Sequence, residues 1–489
     1  MKTLANLLEY IPTVRTQGDL GTAIYAIVSD SRQVKKGDLF VAVRGTGVDG
    51  HNFIGKAIES GAAAIVVEQC PAEVPASVAV IVVADSAETL GLLASAWYDF
   101  PSEKMITVGV TGTNGKTTIA TLLYQLFRRA GHKAGLLSTV CNYIDDEPVA
   151  STHTTPDALE LQALLARMVE AGCEYAFMEV SSHSVVQRRI AGIAFDGAIF
   201  TNLTRDHLDY HKTFDNYLKA KKRFFDDLPT TAFALTNLDD KNGMVMLQNT
   251  KANKYTYSLR TLADFKGKLI ESSFEGMTLQ INGKEVTVPL VGEFNASNLM
   301  AIFGAARLLR VSASDALILL STLRPVAGRF DCVSGSGKTA IIDYAHTPDA
   351  LKNVLGTIRQ VLAANRRKGK VITVVGCGGN RDKGKRPMMA RQAFAESDLL
   401  ILTSDNPRFE KPADILDDML TAFSESEREE VIVIEQREQA IKTAVQLASA
   451  GDVLLIAGKG HETYQEIEGV KHPFNDKEII EKLLNKQKI

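Results

Sequence analysis

Lys116 stands in a stretch, Gly109–Thr118, that reads Gly-Val-Thr-Gly-Thr-Asn-Gly-Lys-Thr-Thr. Glycines let backbone N–H groups close on an anion, and a helix N-terminus adds a favourable field. A lysine amine and a neighbouring hydroxyl complete a set of residue types suited to a nucleotide phosphate chain. Lys116 is placed to reach the β- and γ-phosphates, and Thr117 or Thr118 to offer a hydroxyl to Mg²⁺. The spacing departs from the usual G-x-x-x-x-G-K-[ST], whose first glycine would fall on Val110, while Gly112 lies closer in.

Other polar clusters follow apolar runs. One is Thr152–Asp157. A second is Met178–His183, with Gln187, Arg188 and Arg189 just beyond. A third is Thr201–His211. Glu179 and His207 each come just after an apolar run, where a carboxylate and an imidazole suit a metal, although Mg²⁺ prefers oxygen and keeps waters. Phe214–Asp226 reads as a helix carrying Lys219, Lys221, Lys222 and Arg223, most of them expected on a solvated face. Arg329, in Arg324–Arg329, suits a phosphate or a carboxylate, and the local sequence leaves both open. Later come Asp343–Asp349, Gly376–Lys383, Ser404–Arg408 and Ala457–Glu462. Gly376-Cys-Gly-Gly lacks the full spacing of a dinucleotide fingerprint.

To hold such groups together the chain needs a scaffold that presents loops side by side, and its patterning supplies one. Met105–Val110 is short, apolar and β-branched, and Ile119–Ala130 is apolar at helical spacing, so the glycine stretch joins a strand to a helix. Lys133–Ser138, Tyr175–Val180 and Gly197–Thr201 read as strands and Leu159–Ala171 as a helix. Such alternation argues a parallel sheet with helices on both faces, binding ligands at its strand C-termini. Before it, a helix over Phe53–Ser60 and a strand over Ala62–Val67 mark a small α/β unit, and Pro101–Lys104 reads as a polar linker. Phe265–Leu290 alternates around Asn282-Gly283 and reads as a hairpin insertion. Gly292–Asn298 opens a helix to Leu309. Strands over Thr339–Asp343, Val371–Val375, Leu399–Thr403 and Val453–Ile456 predict a third α/β unit. At 489 residues, about three domains of ~150 residues are expected.

Composition narrows the classes. With 45% hydrophobic and 23% charged residues and a net charge of -3, the chain is ordinary for a globular protein and has no basic nucleic-acid footprint. No apolar run is long enough to span a bilayer, and Met1–Tyr10 does not read as a signal peptide. The five cysteines, Cys70, Cys141, Cys173, Cys332 and Cys377, show no metal-ligand spacing, so free thiols in a reducing cytoplasm are expected.

These residues resemble the Mur ligases, the ATP-dependent enzymes that build the peptidoglycan stem peptide. The resemblance runs over nearly the whole chain. It is carried by Thr111–Thr118, Glu179-Val-Ser-Ser-His183, Arg205–His211, Asp343–Asp349 and Asp405-Asn-Pro-Arg408. It implies an α/β fold of three domains: a small N-terminal UDP-sugar-binding domain over 1–99, a central P-loop ATP-binding domain on a parallel sheet over 100–330, and a C-terminal Rossmann-like amino-acid-binding domain over 331–489. It places ATP against Gly112, Thr113, Asn114, Gly115, Lys116, Thr117, Thr118, Asn295, Arg329 and Asp343. Ser31, Thr46, Gly47 and Val48 fall where the UDP-sugar is held. His153, Thr154, Thr155, Ser181, Gln187 and Arg189 fall where the muramoyl dipeptide is held, although relatives can carry Asn at the place of His153. The family's carbamylated lysine matches Lys221, with Lys219 and Lys222 nearby. Thr117, Glu179, His207 and Lys221 are the implied Mg²⁺ ligands, and Lys116, Glu179, His207 and Lys221 the catalytic set.

Asp405, Asn406, Pro407 and Arg408 look like the signature for meso-2,6-diaminopimelate. Arg408 and Arg381 can take its distal carboxylate bidentately, while Glu462 and the Gly458 carbonyl suit an ammonium. The implied reaction joins that amino acid to UDP-MurNAc-L-Ala-D-Glu through an acyl phosphate. It needs no nucleic-acid or membrane partner and is expected of a cytoplasmic monomer. A lysine-adding ligase is the nearest rival. A folate polyglutamate ligase should lack the first domain and the Asp405–Arg408 match, and a guanine-nucleotide switch would want an N-K-x-D reader that is absent from the sequence.

Overall fold

The computed structural model describes residues 2–45, 47–151 and 153–485. Apolar, β-branched runs form strands and amphipathic runs between them form helices, giving three α/β units, each on its own main sheet. In the first unit Ile27–Val28, Leu39–Val41, Ala64–Val67 and Ala79–Val82 are parallel neighbours, with Arg15–Gln17 antiparallel at one edge.

Among the described residues the central sheet has eleven strands. Its middle is parallel, in the spatial order Ala134–Leu137, Tyr175–Glu179, Ile106–Thr111, Gly197–Phe200, Phe233–Asn237, Asn253–Ser258. Tyr175–Glu179 and Phe233–Asn237 are buried at every position. Helices cover both faces, which is why these strands read as continuous apolar runs and not as alternating ones. The edges correct the expectation of a wholly parallel sheet. Asn142–Ile144 and Glu147–Val149 close one side as an antiparallel hairpin. On the other side Phe265–Ser273, Gly276–Ile281 and Lys284–Val288 form an antiparallel meander. The stretch expected as a hairpin insertion therefore extends the sheet itself, because Phe265 pairs in parallel with Tyr257. Its tight turn has φ of 52° at Asn282 and 75° at Gly283, the left-handed pair that a two-residue hairpin requires.

The order of the middle strands decides what meets what. Ile106–Thr111, which feeds the glycine loop, lies between Tyr175–Glu179 and Gly197–Phe200, with Glu179 opposite Val110 and Phe200 opposite Thr111. The polar clusters after those strands therefore flank the loop. In the third unit the parallel strands Lys338–Asp343, Val453–Ala457, Val371–Val375, Leu399–Leu402 and Val431–Val433 are neighbours in that order. Asp331–Gly335 runs antiparallel beside the first of them. Asp343, Ala457, Val375 and Leu402 end in register, so the loops after them share one sheet edge.

The two joints differ. Pro101–Lys104, expected as a polar linker, is a 3-10 turn whose Pro101 and Ser102 are buried, the Ser102 hydroxyl accepting the Ala194 N–H at 2.9 Å. The helix Ser86–Trp97 of the first unit packs on the helix Ala158–Glu170 of the second. There a Cβ on Gly91 would lie 2.5 Å from the Ala191 carbonyl oxygen, and one on Gly192 would lie 2.6 Å from that of Gly91. Arg188 closes the same joint onto Asp85 and Glu88 at 3.3 and 3.2 Å. At the second joint Phe274 and Val291 of the central unit, with Phe330, pack into the third unit's core around Ile341 and Leu355.

Candidate active site

The strand ends at Thr111 and the helix begins at Lys116, leaving the loop between them. Gly112 and Gly115 have φ of 149° and 90°. A Cβ on Gly112 would collide with the Thr201 hydroxyl, and one on Gly115 would lie 2.6 Å from Asn298 Oδ1. No side chain fits there, so the backbone itself forms the cradle. Lys116 Nζ donates to the carbonyls of Gly112 at 3.0 Å and Thr113 at 2.9 Å. Lys221 Nζ donates to the same Gly112 oxygen at 2.7 Å. Burial draws both amines below their ordinary range. For Lys221 the fall is large, and the neighbouring Lys116 deepens it. Its helix explains the choice among four cations. Lys219, Lys222 and Arg223 pair with Asp215, Asp226 and Asp227, while Lys221 is turned inward beside Tyr217, Phe224 and Phe225 at 1% exposure.

A cavity of about 890 Å³ opens over this loop. Thr113, Asn114, Gly115, Lys116, Thr117, His153, Thr154, Thr155, Glu179, Ser181, Arg189, His207, Lys221 and Arg329 line it from the central unit and the joint after it. Arg381, Asp405, Asn406, Arg408, Gly458 and Glu462 line it from the third unit. The structure thus brings most of the candidate residues to one space. Glu179 is buried and its Oε1 accepts the N–H and hydroxyl of Thr139 at 2.7 and 3.0 Å. Arg189 donates to the Thr155 carbonyl at 2.8 Å and to Gln187 Oε1 at 2.9 and 2.7 Å. Gln187 is not on the wall and holds Arg189 from behind. His207 has φ of 54° and its Nε2 lies 3.3 Å from Asp206. Desolvation pushes its imidazole down to about 4 against the pull of Asp206, which leaves a neutral ring with a free lone pair near neutrality.

Among the described residues, no three His, Cys, Asp or Glu side chains converge as a metal cage. The oxygen donors Thr117 and Glu179, with neutral His207, instead suit an ion carried largely on phosphate oxygens and water, which is the habit of Mg²⁺. The fused backbone cradle fits the phosphates.

In the third unit, Asn406 Nδ2 donates to Glu462 Oε2 at 2.7 Å. Fully buried Lys459 donates to Asn406 Oδ1 at 3.0 Å and Glu462 Oε2 at 2.9 Å. Arg408, at φ 52°, donates through NH1 to the Gly379 carbonyl at 2.8 Å. Pro407 does not reach the cavity; its carbonyl fills the place of a Cβ on Gly379. Two more fully buried cations bracket this loop. Arg437 grips Asp476 at 2.9 and 2.8 Å and donates to the Ala457 carbonyl at 2.9 Å. Arg386 binds Glu410 at 2.9 and 3.0 Å and Asp418 at 2.7 Å.

A second cavity, of about 580 Å³, lies on the other side of the loop, lined among others by Asn114, Thr117, Thr118, Asn298, Arg329 and Asp343. Asp343 accepts the Phe330 N–H at 2.7 Å, and burial pushes its carboxyl up to about 6. Arg329 reaches across the joint to Thr117 Oγ1 at 3.1 Å and stacks 4.7 Å from the Tyr344 ring centre. Its buried Nε has no partner among the described residues. Asn295 lines neither cavity; it donates to the Val291 carbonyl at 2.9 Å and accepts from Asn298 at 3.1 Å. Ser31, Gly47 and Val48 are in the first unit and line neither cavity, and Thr46 is outside the described residues. Thr139, Lys459, Arg386 and Arg437 were not singled out from the sequence. Thr139 carried a usable signal, since it too follows an apolar strand, Ala134–Leu137.

Three family profiles match the chain: Mur ligase family, catalytic domain, over residues 23–98; Mur ligase middle domain over 110–306; and Mur ligase, glutamate ligase domain, over 328–460. A protein of Parabacteroides distasonis called UDP-N-acetylmuramoyl-L-alanyl-D-glutamate--2,6-diaminopimelate ligase is 63% identical over 99% of both chains. A solved structure with that same name is 32% identical over 99% of both chains, with a TM-score of 0.69. The MurF ligase of Thermotoga maritima, solved in complex with ADP, shares the fold at 20% identity and a TM-score of 0.60, over 95% of this chain and 99% of its own.

Proposed function

The chain belongs to the Mur ligase family, and on that premise we propose that it joins meso-2,6-diaminopimelate to UDP-MurNAc-L-Ala-D-Glu at the expense of ATP. The observation that carries this reading is a single cavity shared by the Gly112–Lys116 loop, Glu179 and the Asp405–Arg408 loop. A phosphate donor, an acid and an amine can all meet there.

An amide does not form from a carboxylate and an amine in water without a leaving group on the acyl carbon. The γ-carboxylate of D-glutamate, oriented by Arg189, Thr155 and Ser181, attacks the γ-phosphorus of ATP. The bond to the β-phosphate oxygen breaks and ADP leaves. The amine of diaminopimelate then adds to the acyl carbon of the resulting acyl phosphate, loses a proton, and the tetrahedral intermediate expels phosphate. Lys116 and the loop N–H groups neutralise charge on the transferring group, and most of the help is positioning and electrostatics. Thr117, Glu179, His207 and Lys221 would hold Mg²⁺, which would screen phosphate charge. Burial favours the uncharged form of the Lys221 amine, the form that can add CO₂ and release a proton, becoming an anion suited to that cation. Arg329 at the joint and Asp343 in the third unit bind the nucleotide, and Asn295 supports Asn298 from the central unit's helix Glu293–Leu308. Ser31 and the Thr46–Val48 loop hold the UDP-sugar. The domains are taken as 1–99, 100–330 and 331–489, in a cytoplasmic monomer.

Arg408 and Arg381 receive the distal carboxylate of diaminopimelate. Lysine lacks that group and would leave part-buried Arg408 and exposed Arg381 without their carboxylate partner, which disfavours it. The test is phosphate release from ATP with UDP-MurNAc-L-Ala-D-Glu, adding diaminopimelate or lysine in turn. Release with diaminopimelate, abolished by Lys116→Ala, is expected. Release with lysine alone overturns the reading.

A further inference from the structure

The hairpin Tyr464–Ile467 and Val470–Pro473 pairs only with itself as a sheet among the described residues. Its inner strand is nevertheless laced to the loop that carries Asp405–Arg408. Gln465 Nε2 donates to the Asp405 carbonyl at 2.6 Å. The Glu466 N–H donates to Asn406 Oδ1 at 2.9 Å, the Arg408 N–H to the Glu466 carbonyl at 3.0 Å, and the Glu468 N–H to the Arg408 carbonyl at 2.6 Å. The Glu466 carboxylate lies 3.3 Å from Arg408 Nε. Arg408 lines the cavity and Glu466 does not.

A guanidinium is a rigid fork with a side edge and an end. Here Glu466 holds Nε on the side edge and the Gly379 carbonyl takes one hydrogen of NH1. NH2 has no protein acceptor among the described residues, so the end of the fork is left to receive a ligand carboxylate. Arg408 is on a four-bond stem that would otherwise sample several rotamers, and fixing it beforehand reduces the ordering cost at binding. We propose that Glu466 is a positioning residue that sets amino-acid selection by holding Arg408 end-on to the substrate's side-chain carboxylate, with the hairpin as its mount. This rests on the proposed function.

The test is made on the full chain, measuring kcat and the KM of each substrate. Glu466→Ala should raise the KM for diaminopimelate about fivefold, the size of one lost part-exposed ion pair. kcat and the KM for ATP should stay near native values. Glu466→Gln keeps an oxygen beside Nε without the charge and should bring the KM back to within about threefold of native. Gln465→Ala, which loosens the same strand with Glu466 intact, should raise the same KM and no other, and it carries the test if Glu466→Ala does not fold. An unchanged KM in both alanine variants, or losses spread equally over ATP and turnover, overturns the proposal. Arg408→Ala separates the two levels. If it raises the KM for diaminopimelate while Glu466→Ala and Gln465→Ala do not, only the positioning role fails. If Arg408→Ala also leaves that KM unchanged, the reading of the subsite fails with it.

Discussion

At the scale of single residues, the site works by withholding solvent and then supplying chosen partners. Glu179 is held by both donors of Thr139. Thr139→Ala removes the hydroxyl and leaves the N–H. Turnover should fall about tenfold, in line with one hydrogen bond to a charged group, with the KM for diaminopimelate unchanged in steady-state assays. Asp343 illustrates a cost of the site. Its folded carboxyl keeps a proton to about pH 6, whereas its ordinary value is 3.8. Between those values the folded form binds more protons than the unfolded one, so stability falls as pH rises. Asp343→Asn keeps an acceptor for the Phe330 N–H and escapes that loss. Its melting temperature relative to the native chain should climb between about pH 4 and about pH 7. The loop glycines and Glu179 could be singled out from their types and the apolar runs before them, and Arg408 from the family resemblance. Lys221 needed the structure as well, since in sequence it is one cation among four, and only its inward face separates it from Lys219 and Lys222.

Strands and their order supply the next level. The alternation of apolar runs was enough to expect the α/β class, and Phe214–Asp226 and Val371–Val375 fall where patterning put them. The antiparallel edges of the central sheet were not legible, because an alternating stretch says that it pairs but not with what. The buried arginines were also hidden. Arg437 lies in a polar-looking run, and its partner Asp476 is far along the chain in a different helix, Asp476–Asn485. This pair ties two helices to the Ala457 strand end. Arg437→Ala leaves a buried carboxylate uncompensated and should cost about 3–5 kcal/mol in urea denaturation, while the Arg437→Leu/Asp476→Leu double change should recover much of it. The double variant still lacks the donor to Ala457, so its KM for diaminopimelate should remain raised.

Over the whole molecule, the shared cavity is lined by the second and third units, the first being joined beside them, and it depends on how the units join. The first joint is glycine-tight and charge-locked by Arg188, whereas the joint around Arg329 is crossed beside the Gly112–Lys116 loop by polar reaches such as Arg329 to Thr117 and Asn114 to Asp349. Gly91→Val would force the first unit off the second. It should raise the KM for the UDP-linked peptide and leave the KM for ATP as it was, measured in the same phosphate-release assay. The chain's one tryptophan, Trp97, ends the helix that carries Gly91. The protein therefore comes with its own fluorophore at that seam. Indole emission will register loosening there before circular dichroism records any loss of helix, and the gap between the two melting curves will measure how independently the first unit lets go.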